Sequence, residues 1–131
     1  MSATKIETAG SEPESVATYF VEAQATPRER VTDGIERQVL GHGPKVMGVH
    51  VWFQTGAVGE THSHHHAQMA YVVCGVFDVT VGEETRTLKA GDSFYVPPHV
   101  SHGAICREAG ELIDVFSPWR EDILGLSEDG Y

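Results

Sequence analysis

The amino-acid sequence predicts an all-β domain, a β-sandwich or small barrel, and two observations support this class. From Ile35 onward, short segments rich in Val, Phe and Tyr recur at close and even spacing. Gly75, Gly82-Glu83 and Gly91-Asp92 supply turns between them, and this spacing leaves no room for βαβ crossovers. The predicted strands are 36–40, 46–54, 69–74, 76–81, 84–88, 93–96, 102–107 and 111–116.

Residues 1–34 form an N-terminal arm in this prediction. The arm contains either a short helix capped by Ser11, with Tyr19 and Phe20 at helical spacing, or a short strand over 18–21. In both cases Tyr19 and Phe20 need an apolar surface to cover.

The 131 residues amount to one domain, which we place at residues 35–121. Residues 24–34, with a Pro, an Asp and a Gly, are interpreted as a linker that leads into it. Residues 122–131 are interpreted as an acidic C-terminal tail.

Charge and composition limit the possible partners. Nine Lys and Arg residues oppose nineteen Asp and Glu residues, a formal charge of −10, and such a surface repels nucleic acid and anionic membranes. Cys74 and Cys106 form no C-x-x-C motif, which favours a reducing compartment. No secretion signal is recognised, and no apolar run approaches the roughly 20 residues of a membrane span. We therefore expect a cytoplasmic protein that acts on a small molecule.

Four of the eight histidines cluster within residues 62–66. His62 and His64 are two residues apart and on a strand would project from the same face, so one metal ion can bind both imidazoles. His66 lies too far along a straight strand to reach that ion unless the chain bends. The candidate metal ligands are His62, His64, Gln68 and His102, with His66 as the alternative to Gln68.

A second group of polar residues ends the last predicted strand. Strand alternation places Asp114 and Phe116 on one face, and Arg120 follows after a proline. An inward-facing Asp is unfavourable unless it is paired or lies near a cation. Asp114 is therefore either a general acid or base beside the metal, with Arg120 as anchor for a substrate carboxylate or enolate, or a carboxylate satisfied by a turn amide or by Arg120.

Two sequence motifs, one that contains His62 and His64 and one that contains His102, resemble those of the cupin superfamily. The first motif is represented by Gly56, His62, His64, Gln68 in place of the usual Glu, and Gly75. The second is represented by Gly91, Pro97, His99 in place of a Gly, His102, and Cys106 in place of an Asn. The resemblance implies a cupin double-stranded β-helix, a jelly-roll-like barrel, over residues 35–121, with the metal inside its mouth.

The proposed ligand set determines the kind of metal chemistry. Three neutral imidazoles and a neutral amide leave a divalent ion with its full charge, which makes it a strong Lewis acid for a carbonyl or an enolate. Imidazole nitrogens suit Zn, Ni, Cu or Fe. We expect Zn²⁺, with Ni²⁺ or Fe²⁺ as alternatives.

Two groups of single-domain cupins are similar to this chain. The D-x-F-x-x-x-R ending resembles that of small cupins that linearise 4,5-unsaturated uronates in pectin and alginate breakdown, which implies Asp114, Phe116 and Arg120 as catalytic residues. The chain also looks like the zinc-dependent cyclases of bacterial aromatic polyketide pathways, which act on long apolar chains. The extra arm and an apolar pocket wall favour the cyclases; the wall is expected to comprise Trp52, Met69, Tyr71, Phe94, Phe116 and Trp119.

The sequence therefore predicts a metal-dependent enzyme of the cyclase, lyase or isomerase type that performs non-redox enol–keto ring chemistry. The favoured interpretation is a polyketide cyclase of antibiotic biosynthesis. Uronate linearisation is the alternative, and a cupin dioxygenase or a binding barrel without turnover are further ones. We also expect a homodimer, since small cupins commonly pair through sheet edges and an exposed edge invites aggregation.

Overall fold

The computed structural model describes residues 17–127, and the regular structure of this part is almost entirely β-strand, as predicted. The strands in chain order are β1 Glu29–Thr32, β2 Ile35–Gly43, β3 Val46–Phe53, β4 Val58–His62, β5 Ala67–Val81, β6 Glu84–Lys89, β7 Ser93–Val96 and β8 His102–Ser117. A single turn of 3-10 helix spans Ala23–Ala25. No helix among the described residues is long and apolar enough to cross a membrane.

The eight strands form one antiparallel sheet in the order β1-β2-β3-β8-β5-β6, with β4 added to β8 and β7 added to β5. The first half of β8 pairs with β4 and with the end of β5, and its second half pairs with β3 and with the start of β5. The two long strands β5 and β8 therefore run through both the part of the sheet next to β3 and the part next to β4. This arrangement brings residues that are distant in sequence to the same cavity.

The sequence predicts separate strands before and after Gly75, and again before and after Gly110. In the structure each of these pairs is one continuous strand, β5 and β8, and the two glycines explain why. The register between the two strands shifts around Cys74, which marks β-bulges. Gly75 has a φ of 91°, and a Cβ atom built on it would lie 2.5 Å from the Cα atom of Gly110. The predicted turn at Gly75 is therefore a bulge, in which glycine permits both the backbone conformation and the close approach of the two strands.

Two strands lie where the sequence predicts none. β1 falls in the segment interpreted as a linker, and that interpretation is wrong for Glu29–Thr32, which pairs with β2. All four residues of β1 are exposed, so the strand carries no alternation of buried and exposed side chains. β4 is likewise mostly exposed. Edge strands without a buried face leave no hydrophobic period to detect.

The described part of the N-terminal arm is neither the predicted helix nor a strand over 18–21. Thr18 forms one isolated bridge with His42, and Tyr19 and Phe20 are 55% and 70% exposed. The proposed cap at Ser11 lies outside the described residues, and so does the end of the acidic tail.

The side-chain amide of Gln38 attaches the arm to the barrel. It donates hydrogen bonds to the carbonyl oxygens of Ala23, at 3.0 Å, and Thr26, at 2.7 Å. Gln38 is buried beneath the arm on the outer side of β2. Residues 23–26 of the arm therefore lie against the outside of the barrel.

The hydrophobic core fills the inside of the sheet with alternate residues of β3, β5 and β8. Burial alternates along β3, where every second residue from Met47 to Phe53 is buried. The same alternation on β8 places Leu112 and Phe116 inside. This packing holds the strands that carry the candidate site.

Candidate metal centre

Three histidines meet where β4 ends and β8 begins. His62 is the last residue of β4 and pairs in register with His102, the first residue of β8. His64 belongs to the short loop before β5. One ring nitrogen from each of the three imidazoles lies within 4.8 Å of the others. These residues are the three histidines that the sequence predicts as metal ligands.

Backbone carbonyls fix the tautomer of all three rings. Each Nδ1 atom lies near a carbonyl oxygen, namely that of Glu60 at 2.9 Å, of His66 at 3.1 Å and of Val100 at 2.9 Å. A carbonyl oxygen only accepts, so each Nδ1 carries the proton and donates, and each Nε2 keeps its lone pair. Metal-binding histidines are oriented in this way by a partner of the other ring nitrogen.

Burial favours the neutral form of two of these imidazoles, those of His64 and His102. It lowers the pKa of His64 to about 4, with further contributions from the positive charge of Arg120 and from His102. Burial also lowers the pKa of His102. The Nε2 atom of His102 is buried and has no hydrogen-bond partner among residues 17–127. A divalent ion would satisfy this atom, so the residues present fit a metal.

Gln68 of β5 extends the group of candidate ligands. Its Oε1 atom lies 3.1 Å from His64 Nε2, and its amide nitrogen donates to Asp114 Oδ1 at 3.1 Å. An ionised carboxylate only accepts, so the amide nitrogen faces Asp114 and the amide oxygen faces the histidines. This orientation is the one that a metal ligand requires.

His66, the alternative to Gln68, lies elsewhere. The chain bends at His65 and His66, yet the His66 ring is fully buried and its centroid lies 5.3 Å from that of His64. It stacks on His65 at 3.9 Å between centroids and is not one of the three clustered histidines. The geometry favours Gln68 for the fourth position.

A cavity of about 200 Å³ adjoins the histidines inside the barrel. Its wall includes His62, Gln68, Asp114, Phe116 and Arg120, together with aliphatic side chains of β2 and β3. The structure thus brings the three residues predicted as catalytic to the same cavity as His62 and Gln68, two of the candidate metal ligands. They reach it from the end of β8 and the segment that follows.

Asp114 lies on the side of β8 that strand alternation predicts, together with Phe116. Burial raises the pKa of Asp114 to about 6, while the hydrogen bond from Gln68 and the charge of Arg120 oppose this shift. Of the partners considered from the sequence, neither a turn amide nor Arg120 holds this carboxylate by a hydrogen bond; Gln68 does. A carboxylate with a pKa near 6 can both accept and return a proton near neutral pH.

Arg120 has a partner that the sequence analysis missed. Its Nε and Nη2 atoms donate to Asp122 Oδ1 and Oδ2 at 3.0 and 2.9 Å, and its guanidinium carbon lies 4.9 Å from the centre of the Phe116 ring. Asp122 falls in the segment interpreted as an acidic tail, so it was not considered. In the sequence, an Arg and an Asp two residues apart, just after Pro118, are the signal that could have indicated this ion pair.

Arg37 is a second cation on the cavity wall, and the sequence analysis missed it as well. It pairs in register with Val51, a buried residue of β3, and therefore lies on the inner side of β2 with Ile35 and Val39. The alternation of these three residues in β2 is the signal that could have revealed it. Arg37 donates from Nε to Glu29 Oε1 at 3.0 Å.

The predicted apolar wall is largely wrong, because only Phe116 of its six members lines this cavity. Met69 and Tyr71 alternate with the buried residues of β5 and face outwards, 40% and 45% exposed. Trp52 stacks on His50 at the outer side of β3, with centroids 3.9 Å apart. The other two members pack in or against the core, namely Trp119 and Phe94.

Comparisons with known proteins identify similar sequences over most of the chain. The family described as "Cupin domain" matches residues 49–116. The pectin degradation protein KdgF of Dickeya dadantii (strain 3937) is 42% identical over 108 residues, which cover 81% of this chain and 97% of that protein.

Two solved structures are similar over most of the chain. An RmlC-like cupin from Shewanella frigidimarina NCIMB 400 is 48% identical, with a TM-score of 0.78, over 80% of this chain and 95% of that one. KdgF from Halomonas sp. is 42% identical, with a TM-score of 0.76, over 79% of this chain and 96% of that one.

Proposed function

The chain belongs to the cupin family, and from this premise we propose that it is a metal-dependent enzyme that converts a 4,5-unsaturated uronate into its open-chain keto form. A relative named for pectin degradation, similar over nearly its whole length, supports this substrate class. This was the alternative interpretation of the sequence. The comparisons support it better than the polyketide cyclase that was favoured there.

One observation carries the proposal: His62 of the histidine cluster, Gln68, Asp114 and Arg120 line the same small cavity. A Lewis acid site, a carboxylate able to exchange a proton and a fixed positive charge are the groups that enolate chemistry requires. His62 ends β4, Gln68 belongs to β5, and Asp114 and Arg120 lie near the end of β8 and just after it, so the fold brings these groups together.

The size of the cavity supports a small substrate. Its volume of about 200 Å³ is below the roughly 300–1,000 Å³ of pockets that hold drug-sized ligands. A monosaccharide suits this space better than a long polyketone chain. The outward position of Met69 and Tyr71 also removes much of the apolar wall that favoured a cyclase.

In this proposal His62, His64, Gln68 and His102 hold the divalent ion. Such an ion, when bound, supplies a Lewis acid that polarises a substrate oxygen and stabilises negative charge. A ligand set of imidazole nitrogens and one amide oxygen suits several first-row metals. Zn²⁺ stays our prediction for its identity, with Ni²⁺ or Fe²⁺ as alternatives.

Asp114 moves the proton in the proposed reaction. Its carboxylate accepts the proton of the anomeric hydroxyl, a carbonyl forms at the anomeric carbon, and the bond from that carbon to the ring oxygen breaks. The electron pair of this bond stays on the ring oxygen, conjugated with the double bond, as an enolate. Return of the proton to the far carbon of the double bond gives the ketone. All atoms of the substrate are retained, so the reaction is an isomerisation.

Arg120 stabilises the negative charge of the enolate. Asp122 holds two of its nitrogens and the Phe116 ring lies beside its guanidinium, so the cation is fixed before the substrate binds. A preoriented charge needs no reorganisation when the enolate forms, which is the condition for effective electrostatic stabilisation. Phe116 thus supports the cation and forms an apolar part of the wall.

Turnover of an unsaturated galacturonate by the metal-loaded protein tests this function. We expect the ultraviolet absorbance of the conjugated double bond to disappear and NMR to show the ketone of the open-chain product. A poly-β-ketone model compound and an oxygen electrode test the two competing activities in parallel. Oxygen consumption, or turnover of the polyketone in place of the uronate, would contradict the proposal.

A further inference from the structure

Arg37 lines the cavity, but it has no role in the reaction proposed above. It lies on the inner side of β2, while the rest of that wall from β2 and β3 is aliphatic or aromatic. Its side chain is 26% exposed, so it is accessible from the cavity yet partly desolvated. A cation in such a place attracts an anion more strongly than one on the open surface.

The hydrogen bonds of Arg37 leave its terminal nitrogens available. Nε donates to Glu29 Oε1 at 3.0 Å, and this is the one partner of the guanidinium among the described residues. Both terminal NH₂ groups therefore have no hydrogen-bond partner among residues 17–127. Two parallel N–H donors of this kind match the two oxygens of a carboxylate.

Arg120 differs from Arg37 in this respect. The edge of its guanidinium formed by Nε and Nη2 is already occupied by both carboxylate oxygens of Asp122. A substrate carboxylate would have to displace that internal one to take the same two donors. On Arg37 the carboxylate of Glu29 engages Nε alone, so the two terminal NH₂ groups remain as a forked pair of donors.

From this difference we infer that Arg37 is the residue that binds the carboxylate of the substrate and selects for acidic sugars. The inference rests on the proposed function and deepens it: Arg37 holds the acid group, and Arg120 stabilises the enolate. Glu29, on the edge strand β1, positions the guanidinium of Arg37. Because the protein has a formal charge of −10, a local cation is needed to bring an anionic substrate to the cavity.

The test compares the unsaturated uronate with its methyl ester, which lacks the negative charge and is larger by one methyl group. Arg37→Gln should raise the KM for the acid on the order of 10- to 100-fold, as loss of a charge-assisted hydrogen bond predicts. The KM for the ester and the kcat for both substrates should stay within a few-fold of wild type. Arg37→Lys should recover part of the affinity, since it keeps the charge and loses the fork.

Arg107→Gln is the matched control. Arg107 also donates from Nε to a single carboxylate, that of Asp78, and it does not line the cavity. Its substitution should leave both KM values unchanged. An unchanged KM for the acid in Arg37→Gln, or an equal rise for acid and ester, overturns the inference and leaves the proposed function intact.

A calorimetric measurement separates this inference from the proposed function. If the wild-type protein turns over no unsaturated uronate, the proposed function fails. Binding of galacturonate to the metal-loaded protein then decides on Arg37. Tighter binding of the acid than of methyl galacturonate ester, lost in Arg37→Gln, supports the inference. No binding of the acid, or equal binding by wild type and Arg37→Gln, overturns it.

Discussion

His64 Nε2 and Gln68 Oε1 lie 3.1 Å apart, and both are acceptors, because the proton of His64 lies on Nδ1 and is donated to the carbonyl oxygen of His66. The low pKa of His64, about 4, means that a second ring proton is absent at neutral pH. Two lone pairs at this distance repel each other unless a cation lies between them. The contact therefore points to a metal ion shared by the two side chains.

Metal affinity tests this arrangement. His62→Ala and His102→Ala should each abolish tight binding of a divalent ion, and Gln68→Ala should weaken it at least about tenfold. Calorimetric titration of the metal-free protein and metal analysis after dialysis measure these effects. His66→Gln is the control and should keep the wild-type affinity. Normal binding by Gln68→Ala together with loss in His66→Gln would mean that the fourth ligand is His66.

The substitution Asp114→Asn tests the role of Asp114 in proton transfer separately from its hydrogen bond with Gln68. The Asn oxygen can still accept the hydrogen bond from the Gln68 amide, so fold and metal content should stay at wild-type levels. Turnover should fall about 10²–10⁴-fold, the usual contribution of a general acid–base group. Steady-state kinetics on the accepted substrate and metal analysis of the same sample provide the check. Wild-type turnover in this variant would make Asp114 structural.

The stability of the metal-free protein should fall as the pH is lowered from about 7 to 4. Burial lowers the pKa of His64 and of His66 to about 4 from the ordinary value of 6.5. At these two histidines the unfolded chain binds more protons than the folded chain between pH 4 and 6.5. This outweighs the opposite contribution of Asp114, whose pKa burial raises to about 6, so acid favours unfolding. Urea unfolding at pH 7, 6 and 5 in the presence of a chelator measures this dependence. His66→Asn should show a shallower dependence, and an identical slope would contradict the pKa assignment.

Two glycine substitutions test the bulge between β5 and β8. Gly75 and Gly91 have φ values of 91° and 93°, but a Cβ atom on Gly91 meets nothing within 4 Å. Gly91→Ala should therefore cost only the backbone strain, about 1–2 kcal/mol of unfolding free energy. Gly75→Ala should cost more than about 3 kcal/mol, because its Cβ would also collide with backbone atoms. Equal losses in denaturant unfolding would show that the strands do not approach closely at this point.

The homodimer stays a prediction, and the exposed arm offers a way to test it. Tyr19 and Phe20 expose 55% and 70% of their surfaces in the single chain, which a partner subunit would cover. Deletion of residues 1–25 should lower the melting temperature or dissociate the dimer in analytical ultracentrifugation. Phe20→Ser should have the same effect in weaker form. A monomer with an unchanged melting temperature before and after the deletion would rule out this role.

The candidate site illustrates how far strand alternation reaches. Spacing alone places Asp114 and Phe116 on one face, and the structure confirms that they share a cavity. Strand alternation did not predict the apolar wall of the cavity correctly. It shows that Met69 and Tyr71 share a face of β5, but it does not show whether that face points into the barrel or out of it. Gln68, the neighbour of Met69 on β5, lies on the buried face, so Met69 and Tyr71 lie on the outward face.

Local periodicity and side-chain chemistry were enough to predict the all-β class, most of the strands and the candidate metal ligands. Tertiary structure decided that Gly75 is a bulge, that Gln68 and not His66 faces the histidines, and that Arg37 lines the cavity. Each of these outcomes depends on the register between strands far apart in the chain. Register is set by packing of the whole core, and a local pattern contains no information about it.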